Sequence, residues 1–301
     1  RKEKGTLQDI LDNPSTMKRL IIKEIEADAR QFGDPRRTLI EEAQKAVVEQ
    51  KVVDEPVTVI ISDKGWVRAR TGIGHDIAQF TFKASDSLHG AFECRTVDSL
   101  LGFGDNGKIY SVPVAALPGA RGDGVPITTL VDLSGGADGR PVRILHYFAG
   151  PATTRLMLAS SAGYGFMAQA GDMVSRLKGG KAFITLDDGA LPLAPRVVAE
   201  NASAVACLSE KARLLVFGMD ELKTLSNGGR GVTLMELEDK EKLLAVQPIT
   251  QKGVTVTGIW ATKPRDVPLS ASGLAPHIGK RARKGKPLAA KVKVQDLKSN
   301  G

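Results

Sequence analysis

Glycine and lysine or arginine occur together in four short stretches, a composition suited to holding phosphate. They are Arg121-Gly122-Asp123-Gly124, Lys178-Gly179-Gly180-Lys181, Gly228-Gly229-Arg230-Gly231 and Lys280-Arg281-Ala282-Arg283-Lys284-Gly285-Lys286. A glycine loop lets backbone N–H groups come close to an anion, and flanking cations add charge without reading base identity. With neighbouring cations included, the candidates for contact with a polyanion are Arg68, Arg70, Arg121, Arg176, Lys178, Lys181, Arg213, Arg230, Lys280, Arg281, Arg283, Lys284 and Lys286. The competing reading of each is a turn glycine beside a solvated charge.

Enzymatic chemistry lacks its usual sets of residues. The four histidines, His75, His89, His146 and His277, have no ligand spacing, and no GxSxG, phosphate-loop, HExxH or EF-hand pattern occurs. Asp187-Asp188 reads as a glycine-bounded turn, where short acids favour the bend, rather than as a general acid and base. No catalytic residue, metal or cofactor is expected on this chain. Cys94 and Cys207 are the only cysteines, which excludes a disulfide framework and fits a reduced, cytosolic setting. There is no apolar run of about 18 residues and no signal-peptide pattern, so no membrane span is expected.

The basic stretches are placed by a repeat. Gly163 lies in a tight turn between Leu156-Met157-Leu158-Ala159 and Tyr164-Gly165-Phe166-Met167-Ala168, and Gly180 follows seventeen residues later. Gly107 and Gly124 repeat that offset, as do Ala212 and Gly229. An earlier unit is Val57-Thr58-Val59-Ile60-Ile61, turning at Gly65 into Trp66-Val67-Arg68; a poorer last one is Val254 to Ile259, turning near Thr262 with Pro264 in the return strand. Five units about fifty residues apart predict a propeller-like or solenoid array, mainly β. A sandwich also gives frequent turns, but no reason for a shared offset. The run from Lys280 to Lys286 falls where the period places another basic glycine turn.

The first fifty residues read as helical. Asn13 is a good N-cap with Pro14 behind it, and Met17, Leu20, Ile21, Ile25, Ala29 and Phe32 recur at helical spacing. Gly33 is expected to end that helix in a left-handed conformation, and Asp34-Pro35 to cap a second, striped by Leu39, Ile40, Ala43, Ala46 and Val47. The division expected is residues 1–50 and residues 51–301. Charge is located as sharply. Residues 263–301 hold ten lysines and arginines against Asp266 and Asp296, which is the whole excess of the +8 net charge.

These residues resemble a known family. EIEADARQFGDPRRT (residues 24–38) resembles the closing helices of the breakage–reunion core in the A subunits of bacterial type IIA topoisomerases. EPVTVIISDKGWVR (55–68), ASSAGYGF (159–166) and GKAFITL (180–186) resemble their C-terminal β-pinwheel, in the topoisomerase IV branch, with coverage from about residue 5 to 297. The gyrase branch carries a QRRGGKG box after its first blade; TGIGHDIAQ (71–79) stands there instead, and Lys178-Gly179-Gly180-Lys181-Ala182 is an eroded echo.

The resemblance implies a five-bladed β-pinwheel over residues 51–301, preceded over residues 1–50 by a helical remnant of the core. It implies a domain that binds and bends double-stranded DNA and presents a segment to the cleavage core for decatenation and relaxation. In that family the enzyme also needs a second copy of the A subunit, the B subunit, which binds ATP, and Mg2+ at the cleavage site. The setting implied is cytoplasmic and chromosome-associated, with peripheral attachment to the inner membrane a family variant. Tyr110, Tyr147 and Tyr164 all fall in repeat strands, so the catalytic tyrosine has no counterpart here and the chain is expected to be an inactive fragment by itself. The alternatives are a gyrase-type DNA-wrapping domain and a propeller-like protein-interaction scaffold.

Overall fold

Asn13 starts the longer N-terminal helix: its side chain accepts a hydrogen bond from the Ser15 N–H at 3.1 Å, and Pro14 takes the first helical position, where no N–H is needed. The structure, a computed structural model, describes residues 2–34, 52–119, 122–136, 139–289 and 292–300. Helix α1 is Lys2–Asp12 and α2 is Pro14–Phe32, and neither buries a residue. Gly33 does not end α2 in the left-handed region: its φ is −70°, and a Cβ there would stand 2.2 Å from the Ala29 carbonyl oxygen. Crowding, not chirality, selects that glycine. The second helix expected after Asp34 lies outside the described residues. The chain divides into two units, residues 1–50 and residues 51–301. Among the described residues no helix is long and apolar enough to cross a membrane.

The second unit is five small antiparallel sheets in chain order, a five-bladed pinwheel. Its first sheet uses β1 (Pro56–Ser62), β2 (Trp66–Thr71) and β3 (Leu88–Arg95). The second uses β4 (Ser99–Gly104) and β5 (Lys108–Pro113), after which the two-residue strand β6 (Val125–Pro126) crosses back to pair with β2 before β7 (Ile144–Gly150) completes the second blade. The third and fourth repeat the plan with β8 (Arg155–Ala159), β9 (Tyr164–Gln169), β10 (Lys181–Ala182) and β11 (Arg196–Val197), then β12 (Ala204–Ser209), β13 (Arg213–Gly218), β14 (Val232–Thr233) and β15 (Leu243–Ile249). The last has β16 (Val254–Trp260), β17 (Lys263–Leu269), β18 (Lys286–Pro287) and β19 (Lys293–Ser299). Here β10 pairs with β5, β14 with β9 and β18 with β13, so each of the first four blades receives a short strand from the following repeat. Among the described residues, the fifth sheet, β17-β16-β19, has no donated strand.

This exchange gives the shared offset its physical meaning. The turn residue of each hairpin is left-handed, with φ of 77° at Gly65, 75° at Gly107, 87° at Gly163 and 57° at Ala212. Its carbonyl accepts an N–H from the donated segment: Ile127 to Gly65 at 2.8 Å, Ile184 to Gly107 at 2.9 Å, Leu234 to Gly163 at 2.7 Å and Leu288 to Ala212 at 2.9 Å. The donated strands follow directly on Gly124, Gly180, Gly231 and Gly285. In the fourth repeat the counterpart is therefore Gly231, two residues beyond the Gly229 that the offset picks out.

Four hydrophobic cores lie between consecutive blades. Side chains alternate along each strand, so Leu100, Tyr110 and Val112 face the first blade while Leu101, Phe103 and Ile109 face the third. Interior strands are buried on both faces and read as continuous apolar runs. The last blade differs: along β16 buried Val254, Val256 and Gly258 alternate with partly exposed Thr255, Thr257 and Ile259, as an end-capping repeat requires. On the inner edges β3 packs against β7 and β15 against β19, and Arg196 pairs with Asp296, tying the third blade to the fifth.

Candidate nucleic-acid interface

The segment that carries each donated strand crosses the outer strand of the preceding blade at one position, four residues past the hairpin-turn residue. Ala69 N–H donates to Pro118 O at 2.9 Å, Met167 N–H to Lys223 O at 2.9 Å, and Gly279 N–H to Val216 O at 2.9 Å; at the second blade the Ser111 hydroxyl donates to Ser175 O at 2.7 Å. The basic stretches therefore fall on the segments that follow these crossings. Arg176, Lys178 and Lys181 follow one crossing, Arg230 another, and Lys280, Arg281, Arg283, Lys284 and Lys286 the last.

Partners separate these candidates into two groups. Arg68 is 7 % exposed; its guanidinium lies over Phe82, and its two terminal nitrogens donate to Gly122 O and Thr81 O at 2.7 Å each. These contacts spend its donors within the first blade, where it pins the loop of residues 72–87. Arg213 pairs with Glu238, which Lys211 also bonds at 2.8 Å; the Lys211 hydrogen bond and the Arg213 charge hold the Glu238 carboxyl below its ordinary pKa. Arg230 reaches Asp187 at 2.6 Å and stacks over Tyr164, and Lys284 lies 4.0 Å from Glu236. Lys181 donates to Asp172 O at 2.6 Å, and Arg281 to Thr233 O at 2.6 Å. Against these, Arg70, Arg176, Lys178, Lys280, Arg283 and Lys286 are exposed and, among the described residues, form no ion pair. Arg70 leans on Phe80; Arg121 lies outside the described residues.

Arg68 yields a direct test. Replacing it with Ala strands two carbonyls that a charged donor now satisfies, so Arg68→Ala lowers unfolding stability by about 2 kcal/mol. Duplex DNA affinity stays within about twofold, which thermal denaturation and fluorescence anisotropy together check.

Sequence reasoning missed Lys223, an exposed cation whose own carbonyl makes the third crossing contact. Aligning it with Pro118 in the second repeat is the signal that could have found it. The tyrosines are not presented as nucleophiles: burial pushes Tyr110 up and Tyr147 up to about 12, and Tyr164 lies beneath Arg230. Cys94 and Cys207 are free and buried, and burial raises both thiols. No three His, Cys, Asp or Glu side chains among the described residues could hold a metal ion together.

Known proteins share this architecture and sequence. The family described as the DNA gyrase C-terminal domain, a beta-propeller, matches residues 98–138 and 204–250. The A subunit of DNA topoisomerase 4 from Neisseria gonorrhoeae is 40% identical over 253 residues, 81% of this chain and 32% of its own length. Its counterpart of the same name from Escherichia coli K12 is 31% identical over 289 residues, 95% of this chain and 36% of its own length. The chain thus spans about a third of the length of these relatives. Among solved structures, the ParC C-terminal domain of E. coli superposes with a TM-score of 0.70 at 27% identity, covering 81% of this chain and 98% of that domain.

Proposed function

The chain belongs to the A-subunit family of bacterial type IIA topoisomerases and matches the C-terminal region of its topoisomerase IV branch, and from that premise we propose that residues 51–301 hold and bend duplex DNA along the crossing segments. The observation that carries this reading is the set of exposed cations that, among the described residues, form no ion pair: Arg176, Lys178, Lys280, Arg283 and Lys286, on corresponding segments of two repeats. Such charges gain by displacing counterions from phosphates and read no bases, so binding has low sequence specificity. The curved row of blades gives the duplex a bent path.

In the whole enzyme this unit presents a DNA segment to the cleavage core for decatenation and supercoil relaxation. The partners proposed are the topoisomerase IV B subunit, with ATP bound to it, and a second copy of the A subunit, with Mg2+ at the cleavage site. The described residues supply no donor set for that ion, and no step is assigned to it. The chromosome is the proposed location.

Titration of a random-sequence duplex at several salt concentrations tests the reading. If the five cations each meet one phosphate, log affinity falls against log salt with a slope of about −4.5. No shift of duplex DNA at low salt would instead favour a protein-interaction scaffold.

A further inference from the structure

Between the free cations Arg176 and Lys178 stands Leu177, 68 % exposed. The tip that carries it is fixed in place. Ser175 N–H donates to the Ser111 hydroxyl at 2.8 Å, and that hydroxyl donates back to Ser175 O at 2.7 Å. Leu177 N–H donates to the Ser175 hydroxyl at 3.2 Å, Gly180 N–H to Leu177 O at 3.1 Å, and Asp132 N–H to Lys178 O at 2.9 Å. Five hydrogen bonds therefore fix the tip that holds this large aliphatic side chain in water. With Arg176 and Lys178 it lines an open groove of about 560 Å³, to which Val112, Leu130 and Val174 also contribute.

Among the described residues, other crossing segments lack this arrangement. Leu225 of the fourth repeat packs against the core between the second and third blades. Ile278 of the fifth is 63 % exposed, but the Arg281 guanidinium nearby donates to Thr233 O and its backbone N–H to Glu221, leaving Lys280 on one side only. An exposed aliphatic between two exposed cations that lack ion pairs is a combination that suits one polyanion with an apolar interior. Duplex DNA is that: proteins that bend it insert Leu, Ile, Phe or Met between base steps while flanking cations hold the phosphates.

We propose that Leu177 is a wedge that enters the duplex held by Arg176 and Lys178 and kinks it at one base step. The proposal rests on the DNA-binding reading above and adds where and how the bend forms. A localised kink costs least at pyrimidine–purine steps, so the wedge gives a mild preference for TA and CA/TG steps to a protein that otherwise ignores sequence.

The test uses an end-labelled duplex of about 30 base pairs for energy transfer and 2-aminopurine beside a central TA step for unstacking. Wild-type protein raises both signals. Leu177→Ala, an exposed substitution that leaves the fold intact, binds within about threefold and keeps the salt slope, but loses the 2-aminopurine rise and at least about half of the energy-transfer change. Leu177→Phe restores both. A Leu177→Ala protein that binds, bends and unstacks as wild type does would overturn the wedge and leave DNA binding standing, with the groove then free for a protein ligand. Wild-type protein that binds without raising 2-aminopurine also overturns it. Wild-type protein that does not bind the duplex overturns the underlying reading as well.

Discussion

Replacing Arg176, Lys178, Lys280, Arg283 and Lys286 together with Gln lowers affinity for random duplex DNA more than a hundredfold near 0.15 M salt. The size follows from counterion release: with a slope of about −0.9 per contact, each phosphate contact contributes about fivefold at that salt. Five contacts would give more than a thousandfold, and a hundredfold allows for two that are absent. The control is the paired set, Arg213, Arg230 and Lys284. Their charges are already spent on Glu238, Asp187 and Glu236, so their conversion to Gln shifts affinity by less than about threefold and leaves the salt slope unchanged. Apart from Arg213, which follows the Ala212 turn, the two sets look alike in sequence, since both lie in basic glycine stretches. Equal losses from the two sets would mean that the acidic neighbours do not screen the paired cations, and the assignment of the interface would fail. Thermal denaturation of both variants separates lost contacts from lost fold.

The blades were legible in the sequence, whereas the way they join was not. Strands such as Leu156 to Ala159 and Val205 to Leu208 are buried on both faces, so they stand out as apolar runs bounded by turn residues. The donated strands have two residues each, too few for periodicity, and their presence registered only as an unexplained offset. Distance in sequence hid the charge pairing. Asp187 and Arg230 are 43 residues apart and Arg196 and Asp296 are 100 apart, and nothing local marks either pair. Arg68 shows the limit most clearly: Phe80 and Phe82 hint at a covering loop, but only the fold brings Thr81 and Gly122 to the same guanidinium.

The glycines that first suggested a phosphate cradle have another duty, and substitution exposes it. Gly122 and Gly124 lie in one loop, both with positive φ, at 98° and 85°. A Cβ on Gly122 meets nothing within 4 Å, whereas on Gly124 it stands 2.3 Å from Val67 O and 3.0 Å from the Cβ of Arg68. Gly122→Ala therefore bears only the left-handed cost and loses about 1 kcal/mol. Gly124→Ala must also push β6 off β2, breaking the pairing of Val125 with Val67 and opening the core between the first two blades, and loses about 3–4 kcal/mol. At roughly 2–4 °C per kcal/mol for a unit of this size, the melting temperature falls by about 6–16 °C. Gly231→Ala, 2.3 Å from Gly165 O, behaves like Gly124→Ala, because it seats β14 on β9 in the same way. Phosphate binding would predict the reverse order, since the open position can accept an anion and the crowded one cannot. If Gly122→Ala abolishes DNA binding while Gly124→Ala leaves stability unchanged, these glycines face the ligand; the contacts of Gly124 and Gly231 within the fold place those two at the joints between blades.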